Sequence, residues 1–399
     1  MALKNKPKGG SEKNSKKFNA FIDFYNRHNV IPVSQNTNDL KEFIFRRNFL
    51  YTKLGTPLSF LKDRCILEFG PGGGFNAIAS TFYKPELYVF VDASTASLDT
   101  LNRHNDSGKF NANKVEIINS TIFNYEDSRK YDYIIIEGVI CGQSEPNRMI
   151  KHASSFTGDG GILITTTTSA TSVLSEICRK LLRIHIAEQC PTFESQVLMA
   201  SSIFKTHLES LDTSTRPIDD WVIDVILNDW EKGRYTFSLI DLIDSIGNEF
   251  DFYNSSPSFA TDDRWYKKIT NKDISPNLLL KEQYRNIAAF FIDYRIPMNS
   301  IVKNKGAISE IEKLSRLACD VHDEILLSNS YDKLSEFFRI LQEIKQSLPI
   351  EFNLTILAIE DFISTMPKFI ENKKNSHFSE FCNWWGRGQQ YASFIKRGY

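Results

Sequence analysis

Glu68, Gly70, Gly72 and Gly74 stand at every second position in "ILEFGPGGGFNAIA", residues 66–79. Pro71 sits among the glycines, and helical sequence resumes directly behind them. Glycines at a strand end let backbone N–H groups and a helix N-terminus approach a ligand that side chains would hold off. The carboxylate ahead of them adds an acceptor for amino or hydroxyl hydrogens.

A phosphate loop of the Gly-Lys-Ser/Thr kind needs a lysine, and "GPGGGFNA" contains none. A dinucleotide loop needs G-x-G-x-x-G. Counted from Gly70 its sixth position is Phe75, and only a count begun at Gly72 reaches the relaxed form, with Ala77. The pattern acidic-x-Gly-x-Gly-x-Gly is met at every position. A second acid, Asp92, closes the next strand-like run, "LYVFVDAS". Together these residues resemble the first motifs of the class I S-adenosylmethionine-dependent methyltransferases, over about residues 64–168.

That resemblance implies S-adenosylmethionine as cofactor. It places Gly70, Pro71, Gly72 and Gly74 against the methionine and ribose part. Glu68 would face the amino group, directly or through the loop backbone. Asp92, followed by Ala93, would take both ribose hydroxyls, with a helix cap as its plainer role. Where the family often has an aspartate reading the adenine amino group, this chain has Asn119, Ser120 and Thr121. Ser120 and Thr121 are the candidates there, and the departure weakens that contact.

Methyl transfer is an in-line displacement that depends on alignment and exclusion of water. A hydroxyl acceptor also needs a base. Glu137, ending the run "YDYIIIEG", is the first candidate and a further cofactor contact. His152 on the following helix is the second. A structural carboxylate and a surface histidine are the plainer readings. No HxxE, HxH or Asp-Asp cluster points to a metal. The acidic-or-Asn-Pro-Pro-aromatic signature of base-amino methylation is absent after the fourth strand. The expected acceptor is a small molecule or a saccharide, such as a surface polysaccharide, methylated at oxygen. The closing stretch "HFSEFCNWWGRGQQYASFIKRGY" offers aromatics, Arg387, Gln389 and Gln390 to a sugar ring, or simply docks through its tryptophans. An NAD-type oxidoreductase and a non-catalytic binding protein on a cofactor fold stay open as alternatives.

The elements needed to position these residues are legible. "CILEFG", "LYVFVDAS", "KVEIIN", "YDYIIIEG" and "GGILITTTT" read as five strands separated by helical segments. This predicts an α/β, Rossmann-like class I methyltransferase sheet. "FDFYNSS" is the expected sixth strand and "RWYKKIT" the candidate seventh. The divisions follow: a Lys-rich tail over 1–17, an N-terminal helical cap over 18–62, a core over 63–169 and 235–270, a helical insertion over 170–234, and a C-terminal helical bundle over 271–399. In the cap, Arg46, Arg47 and Tyr51 lie on a helix that could close over the cofactor, or serve as solvated face and packing.

With 41% hydrophobic and 24% charged residues, the 399-residue chain has the composition of packed domains. A net charge of -1 argues against a dedicated nucleic-acid binder. Six scattered cysteines, without a CxxC pair, read as buried thiols of a cytoplasmic protein. No run spans a bilayer, and the helical regions offer surfaces for a homodimer.

Overall fold

A computed structural model describes residues 23–28, 30–31, 37, 39–212, 216–228, 236–260, 262, 264–269, 275–298, 305–371 and 377–398. The tail over 1–17 lies outside the described residues, as do the start of the first cap helix and the end of the insertion. Helical residues 23–28 (α1) precede α2 (Leu40–Lys53). Asp39 caps α2 by accepting from the Glu42 N–H at 3.0 Å, the pairing its side chain favours at an N-cap.

The core alternates as its sequence predicts. β1 (Cys65–Phe69), α3 (Phe75–Thr81), β2 (Leu87–Asp92), α4 (Thr95–Asp106), β3 (Lys114–Asn119), β4 (Tyr131–Ile136), α5 (Pro146–Ser154) and β5 (Thr157–Thr168) follow one another. Pro146 opens α5, where its missing N–H costs nothing. The chain then leaves the sheet through α6 (Ala170–Lys180), α7 (Leu182–Gln189), α8 (Phe193–Glu209) and α9 (Ile218–Trp221), continued by a π-helical turn over Val222–Leu227. It returns at Phe237, whose backbone exchanges two hydrogen bonds with Thr168, so the excursion begins and ends at one point. α10 (Leu239–Ile246) and β6 (Phe250–Ser256) come next. α11 (Pro276–Ile287), α12 (Lys305–Ser328), α13 (Leu334–Ser347) and α14 (Asn353–Ile370) form the C-terminal bundle. α12–α14 share one apolar core with α6–α9, while Leu280 and Tyr284 of α11 pack into the core on one face of the sheet.

The seven-stranded sheet has the order β3-β2-β1-β4-β5-β7-β6. β3, β2, β1, β4 and β5 pair in parallel. β7 is antiparallel to both its neighbours. Two apolar clusters cover the two faces, as a sheet buried on both sides requires. The C-terminal ends of β1, β2 and β4 therefore meet at one edge, carrying Glu68, Asp92 and Glu137.

One strand is corrected. "RWYKKIT" is not the seventh. Its described residues carry a 3-10 turn over Tyr266–Lys268, with Trp265 and Tyr266 exposed. β7 is Gln389–Lys396, so the sheet does not end by residue 270 and the segment over 271–399 is not wholly helical. The bundle α11–α14 separates β6 from the strand beside it. The two strands are consecutive and paired, but the connection between them is far longer than the usual few residues, and no local signal marks it. The cysteines also differ from expectation. All six are free, but Cys65, Cys190 and Cys382 are only half-buried. Among the described residues no helix is long and apolar enough to cross a membrane.

Candidate functional site

The glycine loop between β1 and α3 has positive φ at Gly70 (+63°) and Gly74 (+72°). A Cβ on Gly70 would lie 2.5 Å from Val139, and one on Gly74 would lie 2.5 Å from Leu101. Conformation and space both select glycine there. Gly70 keeps the loop low over the strand edge. Gly74 faces the interior, capping α3.

Asp92 ends β2 opposite this loop. Its Oδ2 accepts from the Gly72 N–H at 3.1 Å and its Oδ1 from the Ser94 N–H at 2.8 Å. Burial pushes its carboxyl up to about 6, against those backbone hydrogen bonds. Glu68 is buried in β1 and accepts from the Tyr88 hydroxyl at 2.6 Å. Burial, with the nearby Glu137 charge, pushes it up to about 7. Both carboxylates border one cleft enclosing about 1020 Å³ of empty space, open solvent included. Pro71, Gly72, Ala93, Ser120 and Thr121 line it as well. The Ser120 hydroxyl turns back onto the Thr121 carbonyl (2.9 Å), and the Thr121 hydroxyl caps the turn at Asn124 (3.2 Å).

Glu137 lines the same cleft. Its two oxygens accept from Arg47 Nη2 at 2.8 and 2.9 Å, from the Tyr51 hydroxyl at 2.9 Å and from Asn76 Nδ2 at 3.2 Å. The Arg47 and Glu137 side chains are 10% and 7% exposed, which makes this a buried ion pair. Arg47 is thus no solvated face, although Arg46 is exposed. It ties α2 to the end of β4.

The structure does not bring His152 to the cleft. Its Nε2 lies 3.1 Å from the Tyr125 carbonyl, and its ring packs edge-on against Phe156. The expectation of a reserve base there is corrected. α5 turns that face toward the loop after β3. Gly74 also stays behind the lining. Residues not anticipated include Tyr25, Asn76, Gln143 and Met149. Asn76 could have been noticed, since it is the second residue of the helix after the glycines.

None of the described lining side chains is basic, while three are acidic. Burial in this cleft disfavours the ionised form of Glu68 and of Asp92. Below about pH 3 both Glu68 and Asp92 are protonated in folded and unfolded chains alike. As pH rises toward 7 the unfolded chain releases these protons first, so the stability of the unliganded protein falls over that window. Glu68→Gln keeps the Tyr88 partner and removes the charge. We expect it to be more stable than wild type at pH 8 by about 3 kcal/mol, given a carboxyl moved from 4.5 to about 7. Little difference is expected at pH 4. Urea unfolding at the two pH values checks this, and equal stabilities at pH 8 would refute it.

The sequence matches no family model, and no curated protein matches it. The structure is similar to several solved ones. The N-methyltransferase NodS from Bradyrhizobium japonicum in complex with S-adenosylhomocysteine is 12% identical, with 38% of this chain and 74% of that one covered, at a TM-score of 0.30. PKMT2 from Rickettsia typhi is 16% identical over 62% of this chain and 50% of that one, at 0.41. The chain thus spans half the length of that protein. Magnesium protoporphyrin IX methyltransferase from Synechocystis, with bound S-adenosylmethionine, is 16% identical over 41% and 79%, at 0.30. Independently of these likenesses, the parallel β3-β2-β1-β4-β5 sheet, its antiparallel last strand and the glycine loop after β1 give this chain the fold of the class I S-adenosylmethionine-dependent methyltransferases.

Proposed function

We propose that the chain is an S-adenosylmethionine-dependent methyltransferase acting on a small molecule. The observation that carries this reading is the convergence of Glu68, Asp92 and the glycine loop on one cleft with no basic side chain among its described lining residues. A dinucleotide's pyrophosphate would meet three carboxylates there. A cofactor bearing ammonium and sulfonium charges suits them. Asp92 retains acceptor capacity on both oxygens for a vicinal diol, and Glu68 for an amino group. Ser120 and Thr121 border the side of the cleft at the end of β3, where the adenine would lie. When bound, the cofactor supplies an electrophilic methyl group. The protein's part is to hold, orient and exclude water.

Glu137 fits a positioning role better than that of a general base, because both its oxygens already accept from Arg47, Tyr51 and Asn76. An oxygen acceptor would then have to ionise without help from this cleft. The saccharide alternative loses the platform that suggested it. Trp384 and Gln390 are fully buried, and Arg387 is spent on the Phe290 and Ile296 carbonyls.

The test is calorimetry with S-adenosylhomocysteine and NADH on the same preparation. Binding of NADH alone would sink the reading. Asp92→Ala is expected to weaken S-adenosylhomocysteine binding by about 1–3 kcal/mol, the scale for hydrogen bonds to a charged group. A folded variant with unchanged affinity would remove Asp92 from the site.

A further inference from the structure

The cleft has a wall that belongs to neither the sheet nor its loops. Tyr25 of α1 lines it and is 1% exposed. Its hydroxyl donates to Asp224 and accepts from Asn228 Nδ2 at 2.9 Å. Both partners sit at the π-helical end of the insertion, and Asp224 is held by Arg216 at 2.7 Å. The next residue, Asn26, accepts from Ser94 Oγ at 3.1 Å and Thr95 Oγ1 at 3.2 Å, at the corner behind Asp92. His28 stacks on Phe193 of α8 with ring centroids 3.8 Å apart, and Phe24 packs edge-on against the same ring. Ile31 lies over the loop, 3.1 Å from where a Cβ on Gly73 would stand.

These contacts make residues 23–28, with 30 and 31, a bridge. One end rests on the glycine loop and the β2 corner, the other on the helical insertion, and Tyr25 dips into the cleft between them. We propose that Tyr25 is a cofactor-site residue and that its bonds to Asp224 and Asn228 couple occupancy of the cleft to the seating of the insertion. The proposal rests on the adenosyl-cofactor reading above. Its physical basis is geometric. A ligand filling the cleft packs against the Tyr25 ring and holds the hydroxyl at its partners. Ligand exit moves the ring and frees the π-helical turn. Linkage makes the effect reciprocal, so an insertion that is not seated weakens retention of the ligand.

The probe is S-adenosylhomocysteine, with stopped-flow dissociation and amide hydrogen exchange as readouts on the full chain. Tyr25→Phe keeps the ring and removes the hydroxyl. Asp224→Ala removes the partner and leaves every described lining residue unchanged. Both are expected to release the probe roughly tenfold faster than wild type, the effect of about 1.4 kcal/mol. In wild type the probe should slow exchange over residues 222–228, and in both variants that slowing should be lost. If one variant fails to fold, the other gives the same reading. Tight binding with unchanged release and unchanged exchange overturns the coupling and leaves the cofactor reading intact. Absence of binding to wild type overturns both.

Discussion

Arg47→Ala should cost about 3–5 kcal/mol of stability, the range for stripping one partner from a buried ion pair. Glu137 would keep Tyr51 and Asn76 as donors, but no cation would remain against a carboxylate that is 7% exposed. The guanidinium also lies 5.2 Å from the Tyr51 ring, so its loss loosens α2 as well as the charge balance. The double variant Arg47→Met with Glu137→Gln should recover much of the loss, because no buried charge is left unpaired. Chemical denaturation of the two variants separates the readings. If the single variant loses less than about 1 kcal/mol, α2 is held by packing alone and the ion pair is incidental.

Arg179→Ala should be at least as damaging. Arg179 in α6 is fully buried, and burial lowers its pKa to about 9. Its Nη2 donates to the Trp384 carbonyl at 2.7 Å and to the Phe381 and Cys382 carbonyls at 3.3 Å. Nε donates to His207 Nδ1 at 3.1 Å, and the guanidinium lies 3.9 Å from the Trp385 ring centre. It grips the segment that leads directly into β7. Without it, the buried Phe381 and Trp384 carbonyls and the half-buried Cys382 carbonyl lose a donor, and the strand between β5 and β6 loses its approach. A loss of about 3–5 kcal/mol follows from several charged hydrogen bonds removed at once. Arg179→Lys should not rescue it, since one ammonium cannot span the carbonyls and stack on the indole. Urea denaturation followed by circular dichroism reads the effect, and wild-type stability in Arg179→Ala would show that the tryptophans dock unaided.

Both predictions concern residues whose importance the linear sequence does not display. Arg47 stands beside Arg46 in a helix, and nothing local says that one is buried and the other exposed. Their separation follows from 3.6-residue periodicity only once the buried face is known. Glu137 looked like a free acid at a strand end. Its burden of donors comes from α2 and α3, which reach it only through folding.

Much was nevertheless legible. The five parallel strands, β6 and the helical excursion after β5 follow from apolar runs and turn residues close together in sequence. The glycine loop and Asp92 follow from spacing, because a loop that must run close to a ligand restricts residue type at each position. By itself, then, the sequence determined the order β1 to β6, the bare strand end and the acid that faces it. The tertiary structure alone decided three things: that β7 comes from Gln389–Lys396, that Glu137 is clamped by Arg47 and Tyr51, and that Tyr25 lines the cleft. Each depends on which distant segment arrives at a given edge. That choice is made by burial and pairing over the whole chain, and local periodicity carries no record of it.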